Sequence, residues 1–294
     1  MKTRYTFGGD EHLFVECSKE MSLEAFFKSF SLTETIKKAD IKGITEICPA
    51  NASFQLRFNP DIVKPNNLLQ LVQDIEKSNK KTKKTIKTRI IEFPVLYNDP
   101  WTRKTLMRFR DRHQMPKKTD LEYSTEINNY DSVESFVKAH SKNPWFVTMV
   151  GFVAGLPFMY QMVSRKHQIQ VPKYLRPRTD TPKLTLGHGG CFTCVYSVKG
   201  AGGYQIFGIC PMPIYDPTQS LVYLKDFMVF FRPGDIVKFK PITISEYENT
   251  VQQIKTNQYE PLIKELLFDL NQYNQDIEKY NKKLIKILKD DRNN

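Results

Sequence analysis

Cysteine is sparse in this 294-residue chain: Cys17, Cys48, Cys191, Cys194 and Cys210 are all there are. A small, odd number in a chain this long reads as reduced thiols and argues against a disulfide framework. The N-terminal MKTRYTFGGDEH has a basic start but no apolar core, so no secretory leader is expected and the cytoplasm is the default compartment. There is no Gly-x-Ser-x-Gly elbow, no Gly-x-x-x-x-Gly-Lys-Ser/Thr loop and no dinucleotide fingerprint. The familiar nucleophile and nucleotide motifs are therefore missing. Acidic residues are outnumbered, 32 Asp and Glu against 44 Lys and Arg, for a net charge of +12.

That charge is concentrated. Between Lys77 and Lys118 lie fourteen Lys or Arg and three acids, Glu92, Asp99 and Asp111, so 14 − 3 = +11 of the excess sits in one seventh of the chain. Its densest part, KSNKKTKKTIKTR, has no aromatic residue between the lysines and so lacks the stacking groups used on single strands. It reads as a solvated connector, and no nucleic-acid partner is expected.

Long apolar runs are also rare. One exists, Trp145 to Val163, nineteen residues without a charge. Its length would suit a membrane span, but Gly151, Gly155 and Pro157 interrupt any helix, and Val147, Val150, Phe152 and Val153 favour a strand. The spacing predicts a buried strand over 146–150, a turn through GFVAGLP and a returning segment, with no membrane partner. Glycines beside a proline let main chain approach a ligand closely; a tight corner between strands is the alternative.

Along the first hundred residues strand and helix signals alternate. Gly8, Gly9 and Asp10 predict a hairpin between Tyr5–Phe7 and Leu13–Cys17, and Ser22 caps a helix with Leu23, Phe26, Phe27 and Phe30 on one face. Strands over 44–48 and 54–58, a helix from about Asn66 and a strand over 89–97 complete a β-α-β-β-α-β order, that of a split βαβ lobe. Packing helices follow from Asp99 to His140. Beyond Trp145, short strands over 184–186, 191–196, 205–207, 222–224 and 236–240, punctuated by Gly and Pro, indicate a barrel or sandwich. Pro233 and Gly234 suit a type II turn before the last of these. In the tail, Leu266, Leu270, Tyr273, Ile277, Tyr280, Leu284 and Ile287 recur at coiled-coil spacing, and either docking on the same chain or an oligomer contact satisfies such a seam.

His188, Cys191, Cys194 and Cys210 invite a zinc reading, but strand residues three apart face opposite ways and no second ligand pair follows, so no metal is expected. Glycine clusters at Gly187, Gly189, Gly190 and at Gly200, Gly202, Gly203 are placed to bracket one concavity with the Gly151 to Pro157 turn. His140 is the titratable residue best placed to join them, as a proton carrier or as a structural helix-end histidine.

The segments GGDEHLFVE, GITEICPANASFQLRFNP, EFPVLYNDPWTR, SVESFVKAH ending at His140, GFVAGLP, GGYQIFG and FFRPGDIVKF occur in one order over nearly the whole chain. In that order the chain resembles the carboxyltransferase-type family that contains the B subunit of 5-oxoprolinase, allophanate hydrolase subunit 1, a sporulation-kinase inhibitor and the urea carboxylase carboxyltransferase domain. From Lys173 to Gln205 it is most similar to the urea carboxylase branch. Ala154, Leu156 and Phe158 depart from the oxoprolinase turn, Phe152 replaces the aspartate of the urea carboxylase turn, and Gly208-Ile209-Cys210 replaces Gly-Arg-Thr. The missing arginine removes a bidentate anion clamp, which weakens or relocates carboxylate binding.

The resemblance implies an α+β protein: an α/β lobe with its lysine-rich connector over 1–97, a cyclophilin-like β-barrel with packing helices over 98–245, and a helical extension over 246–294. It implies a subunit of an amide-processing assembly, opening a lactam with ATP or carboxylating a urea-like amide from carboxybiotin. The ATP or carboxybiotin would come through partner subunits, one of them a companion carboxyltransferase-type barrel. In that reading His140 is the acid or base and Gln205 recognises the amide. Gly151, Phe152, Gly155, Pro157, Gly189, Gly190, Tyr196, Gly202 and Gly203 form the wall for a small amide or lactam. The alternative is a non-catalytic regulator that binds a partner enzyme.

Overall fold

The structure is a computed structural model that describes residues 2–79 and 83–289. Lys80, Lys81 and Thr82, at the centre of the expected connector, lie outside the described residues. Two compact units divide the chain: Met1–Ile86 with Phe268–Asn271, and Lys87–Leu267 with Gln272–Asn294.

In the first unit, β1 (Arg4–Gly8) and β2 (His12–Glu16) form the expected hairpin, with Gly9 at φ +63° in its turn. Helix α1 (Leu23–Ala39) begins at Ser22, whose hydroxyl accepts from the Ala25 N–H at 3.1 Å. Strands β3 (Ile44–Pro49) and β4 (Ser53–Phe58) and helix α2 (Pro65–Ser78) follow, and the four strands form an antiparallel sheet in the order β1-β2-β4-β3. Alternation sends Leu13, Val15, Phe54, Leu56 and Phe58 to one face, where they form a core with Leu32 and Ile36 of α1 and Leu68 and Val72 of α2.

This sheet corrects the split βαβ expectation. The strand meant to complete it, β5 (Thr85–Tyr97), lies elsewhere. Its Ile90 and Ile91, and then Phe93, Pro94, Val95 and Leu96, are buried on successive positions and not only on alternate ones, the pattern of a strand covered on both faces. It pairs parallel with a strand of the second unit over Ile236–Pro241.

In that unit, α3 (Pro100–Arg108) starts at Asp99, which accepts from the N–H groups of Trp101 and Thr102; α4 (Asp120–Ile127) and α5 (Val133–Lys142) start at capping boxes on Thr119 and Ser132. Then come β6 (Trp145–Val150), β7 (Pro157–Gln161), β8 (Arg178–Thr181), β9 (Thr185–Gly189), β10 (Phe192–Val195), β11 (Gly200–Gly202), β12 (Gln205–Ile209) and β13 (Ile236–Pro241). The chain closes with α6 (Ile244–Lys255), β14 (Ile263–Asp269), α7 (Leu270–Gln275) and α8 (Ile277–Lys289). The large sheet has the order β12-β9-β10-β7-β6-β13-β5-β14, and β12 also pairs with β5 through Gly208↔Tyr97 and Ile209↔Leu96. Hydrogen-bonding order thus returns on itself, with β14 outside. A Cβ on Gly208 would lie 2.3 Å from the Leu96 carbonyl oxygen, so only glycine permits that junction. Strands β8 and β11 form a separate pair.

The long apolar run is β6, the turn and β7, paired antiparallel from Trp145↔Gln161 to Val150↔Pro157. Among the described residues no helix is long and apolar enough to cross a membrane. Two other expectations change. Residues 222–224 form one 3₁₀ turn instead of a strand, because Asp216 accepts from the N–H groups of Thr218, Ser220 and Leu221 and winds the segment around its carboxylate. The 246–294 segment is not wholly helical: Leu266 lies in β14, while Leu270, Tyr273, Tyr280, Leu284 and Leu288 are buried within this chain. Asn281 donates to the Met162 carbonyl at 2.6 Å, which ties α8 to the end of β7.

Candidate functional site

An open cleft of about 270 Å³ lies in the second unit. One wall is the turn between β6 and β7. Gly151 N–H donates to the Leu156 carbonyl at 3.0 Å, and Phe152 and Gly155 both adopt left-handed backbone, φ +71° and +72°. Gly155 needs that freedom, and a Cβ there would also crowd Tyr215 at 3.1 Å. Phe152 has no such excuse; held in the same conformation, it stands 75% exposed on the cleft rim, with Leu156 and Phe158 below it.

The opposite wall is Tyr196, Tyr204 and the main chain of Ala201, Gly202 and Gly203. The glycines here make room for rings. A Cβ on Gly202 would lie 2.4 Å from Tyr196 Oη, and one on Gly189 would lie 2.4 Å from the Tyr204 ring. Gly202 and Gly203 line the cleft, whereas Gly189 lies behind Tyr204. Gly190 pairs with Val171 and does not line the cleft. Gly151 is packed by Met149, and Pro157 opens β7. Lys173, its ammonium 5.3 Å from the centroid of the Tyr204 ring, and Pro177 and Cys194 complete the lining. Burial pushes the Cys194 thiol and the Tyr196 and Tyr204 hydroxyls up, so none of the three is an anion near neutral pH.

His140 and Gln205 do not line this cleft, and the expected convergence of both on one pocket is corrected. His140 is fully buried among Trp145, Phe207 and Phe239, with ring centroids at 4.7, 5.3 and 5.4 Å. Its Nδ1 shares a hydrogen bond with the Tyr97 hydroxyl at 2.9 Å, and burial, then the neighbouring His188, holds its pKa well below the usual histidine range. His188, 5.8 Å away, places Nε2 at 3.2 Å from the Ile169 and Gly190 carbonyls, so that nitrogen carries the proton. Burial lowers its pKa to about 4.

Gln205 is satisfied at both ends by the protein. Its Nε2 donates to the Pro172 carbonyl at 2.9 Å, and its Oε1 faces His113 Nε2 at 2.8 Å. Since His113 Nδ1 accepts from the Met115 N–H, the ring is neutral and donates through Nε2. Beside it Asp120, fully buried, accepts from Arg110, from the Tyr174 hydroxyl and from the Ile206 N–H. Sequence reading missed this network and the cleft residues Lys173 and Tyr204. Its members lie far apart in the chain and fit no short motif. Among the described residues no group of His, Cys, Asp and Glu is assembled to hold a metal ion.

Comparison with known proteins follows the same outline. The family model for Carboxyltransferase domain, subdomain C and D, matches residues 3–224. Urea amidolyase of Lachancea kluyveri is 23% identical over 277 residues, 92% of this chain but 15% of that protein. The B subunit of 5-oxoprolinase from Bacillus subtilis (strain 168) is 30% identical over 162 residues, 55% of this chain and 57% of its own length. The chain therefore spans only part of each of these relatives. The crystal structure of K. lactis urea amidolyase superposes with a TM-score of 0.82 at 21% identity, covering 98% of this chain and 18% of that one, a likeness of fold.

Proposed function

This chain belongs to the carboxyltransferase-domain family, subdomains C and D, and on that premise we propose that it is a cytoplasmic subunit of an amide-processing assembly whose ligand site is the cleft. The observation that carries this reading is that Phe152 and Leu156 of the 151–157 turn, Tyr196 and the Gly202-Gly203 main chain, which are far apart in sequence, line one concavity. Phe152, Leu156 and Phe158 on one side and Tyr196 and Tyr204 on the other suit the flat body of a small amide or lactam. Lys173 supplies the one cation among the lining residues. In this reading the strands that return on themselves through β12 and β5 would be the cyclophilin-like barrel that the resemblance implies, and ATP or carboxybiotin would be supplied by a companion carboxyltransferase-type subunit.

In this proposal His140 and Gln205 act from behind the wall. Gln205 holds the Pro172 carbonyl, and Tyr174 N–H donates to the Gly203 carbonyl at 2.8 Å, so together they set the position of Lys173. His140 packs the interior beneath β6. A second reading, a non-catalytic regulator, is favoured by the absence of any carboxylate or imidazole among the residues that line the cleft.

Co-purification with a companion subunit, followed by assays of ATP-dependent 5-oxoproline opening and biotin-dependent urea carboxylation, tests the proposal. Ala201, exposed on the cleft wall, is the place to block it. Ala201→Trp should leave the melting temperature nearly unchanged and reduce turnover by about 100-fold, the scale of losing substrate positioning. Full turnover in that variant would remove the cleft from the reaction, and no turnover in the wild-type assembly would favour the regulator.

A further inference from the structure

Among the described residues Leu175 is the most exposed large aliphatic side chain, at 73%, and it stands between Lys173 and Pro177, which line the cleft. A single exposed leucine is ordinary on a protein surface; the setting of this one is not. On one side its neighbour Tyr174 is buried, with its N–H donating to the Gly203 carbonyl at 2.8 Å. On the other, the Arg176 N–H donates to the Arg112 carbonyl at 3.3 Å, and Arg112 Nη1 donates to the Pro177 carbonyl at 2.7 Å. Anchors on both sides thus hold Leu175 out in water.

The groups joined to this segment are cationic. Lys173 and Arg176 flank Leu175, and Arg112 is bonded to the same main chain. Arg108 and Arg112 share the Phe109 ring, with their guanidinium carbons 4.8 and 5.1 Å from its centroid, and Lys199 shares Asp180 with Arg108. Against these five cations stand two acids, Asp111 and Asp180, an excess of +3. The Arg176–Asp111 pair is exposed at both ends, 69% and 67%, so it is of the kind that contributes little and exchanges readily for another carboxylate. Neither Lys173 nor Arg112 has an ion-pair partner among the described residues. Stacking on Phe109 keeps two of the guanidinium groups in place, which lowers the ordering cost of binding them.

Sign and the one apolar group decide what such a surface fits. A second copy of the chain is disfavoured, because each copy carries +12. Single-stranded nucleic acid is bound through exposed rings, and here Phe109 and Tyr174 are buried. We propose that this face docks an acidic segment of a partner protein, whose carboxylates meet Arg108, Arg112, Arg176 and Lys199 while an apolar side chain packs on Leu175. Because Lys173 and Pro177 belong to both surfaces, the docked segment lies at the mouth of the cleft. The proposal rests on the reading of the chain as a subunit of an assembly, and adds the place and the chemistry by which a companion is held.

A fluorescein-labelled peptide, Glu-Glu-Leu-Glu-Glu-Leu-Glu-Glu, titrated with the full chain by anisotropy, tests the face beside the same peptide with Gln for Glu and a DNA strand of equal charge. The Glu peptide should bind about 10-fold or more tightly than the Gln peptide, and the difference should shrink between about 50 mM and about 500 mM salt. Arg176→Glu/Lys199→Glu should weaken the Glu peptide about 10- to 100-fold and Leu175→Ser about 10-fold, with melting temperatures unchanged because all three side chains are exposed. Lys37→Glu/Lys38→Glu, an equal charge change at exposed positions of the first unit, should leave binding within about twofold of the wild type. Equal affinities for the Glu and Gln peptides in the wild type, or equal weakening in the two charge-reversed variants, would overturn the proposal. DNA binding more tightly than the Glu peptide, and lost in Arg176→Glu/Lys199→Glu, would overturn it in favour of a nucleic-acid surface. A companion that co-purifies as well with Arg176→Glu/Lys199→Glu as with the wild type would overturn the docking face and keep the assembly. Expected peptide binding with no companion recovered from the wild type would keep the acidic-segment face and count against the assembly. Because the two-peptide comparison and its salt dependence need no variant, the test survives a failure of any variant to fold.

Discussion

His140 and His188 lie in one sealed aromatic interior, 5.8 Å apart, and both are kept neutral. A proton-transfer residue needs a pKa near the working pH and a route to solvent; these have neither. What they do create is acid sensitivity. With a folded pKa of about 4 and an unfolded value of about 6.5, His188 binds more proton unfolded than folded. The stability it contributes is complete above about pH 6.5 and is lost as the pH falls from there towards 4, with about 2 kcal/mol gone by pH 5. Denaturant midpoints should therefore drop between pH 7 and pH 5. The drop should be smaller in His188→Gln, which keeps an N–H for the Ile169 and Gly190 carbonyls but does not titrate. An equal drop in both proteins would place the acid sensitivity elsewhere.

At the level of elements, the junction of β12 with β5 decides the shape of the large sheet. Gly208 lets the Leu96 carbonyl approach to a distance at which any side chain would collide, and the register of β12 against β9 shifts between Ile206 and Gly208. Gly190 is a different case: it sits at φ +60° with nothing within 4 Å of an added Cβ. Gly208→Ala should lower the unfolding free energy by about 3 kcal/mol through overpacking against rigid backbone, and Gly190→Ala by about 1 kcal/mol through left-handed strain alone. Similar losses, read by urea denaturation, would mean that β12 can move away from β5. The same junction explains why the pattern of the first hundred residues misled. The run RIIEFPVLY announces a strand, but no local signal says that its partners are β13, β14 and, at its end, β12.

For the whole molecule, the question raised by the tail was whether its seam meets another chain. Tyr273, Tyr280, Leu284 and Leu288 are buried, and Asn281 is hydrogen-bonded to Met162, so the seam is satisfied in cis. Leu284→Asp should then cost about 2 to 5 kcal/mol through a lost core side chain and a buried charge, with an unchanged mass by light scattering. A fall in mass with stability retained would instead assign the seam to an oligomer.

Hairpin, caps, turns and helices were legible because their causes are short-range: Gly9 in a tight turn, Ser22 accepting from Ala25, Gly234 at φ +101° in the Pro233-Gly234 turn, and apolar residues at helical or strand spacing. Through the family resemblance the sequence also singled out Gly151, Phe152, Gly155, Pro157, Gly189, Gly190, Tyr196, Gly202 and Gly203 as a pocket wall; of these Phe152, Tyr196, Gly202 and Gly203 line the cleft and the others do not. Only the tertiary structure decided what those glycines serve. Gly189 and Gly202 are small because the Tyr204 and Tyr196 rings occupy the space, a relation set by strand pairing and invisible in spacing. It alone sealed His140 in the core and bound Gln205 to His113 and Pro172. Burial and hydrogen-bond satisfaction depend on neighbours brought from distant parts of the chain, and those neighbours determine whether a polar residue is structure or site.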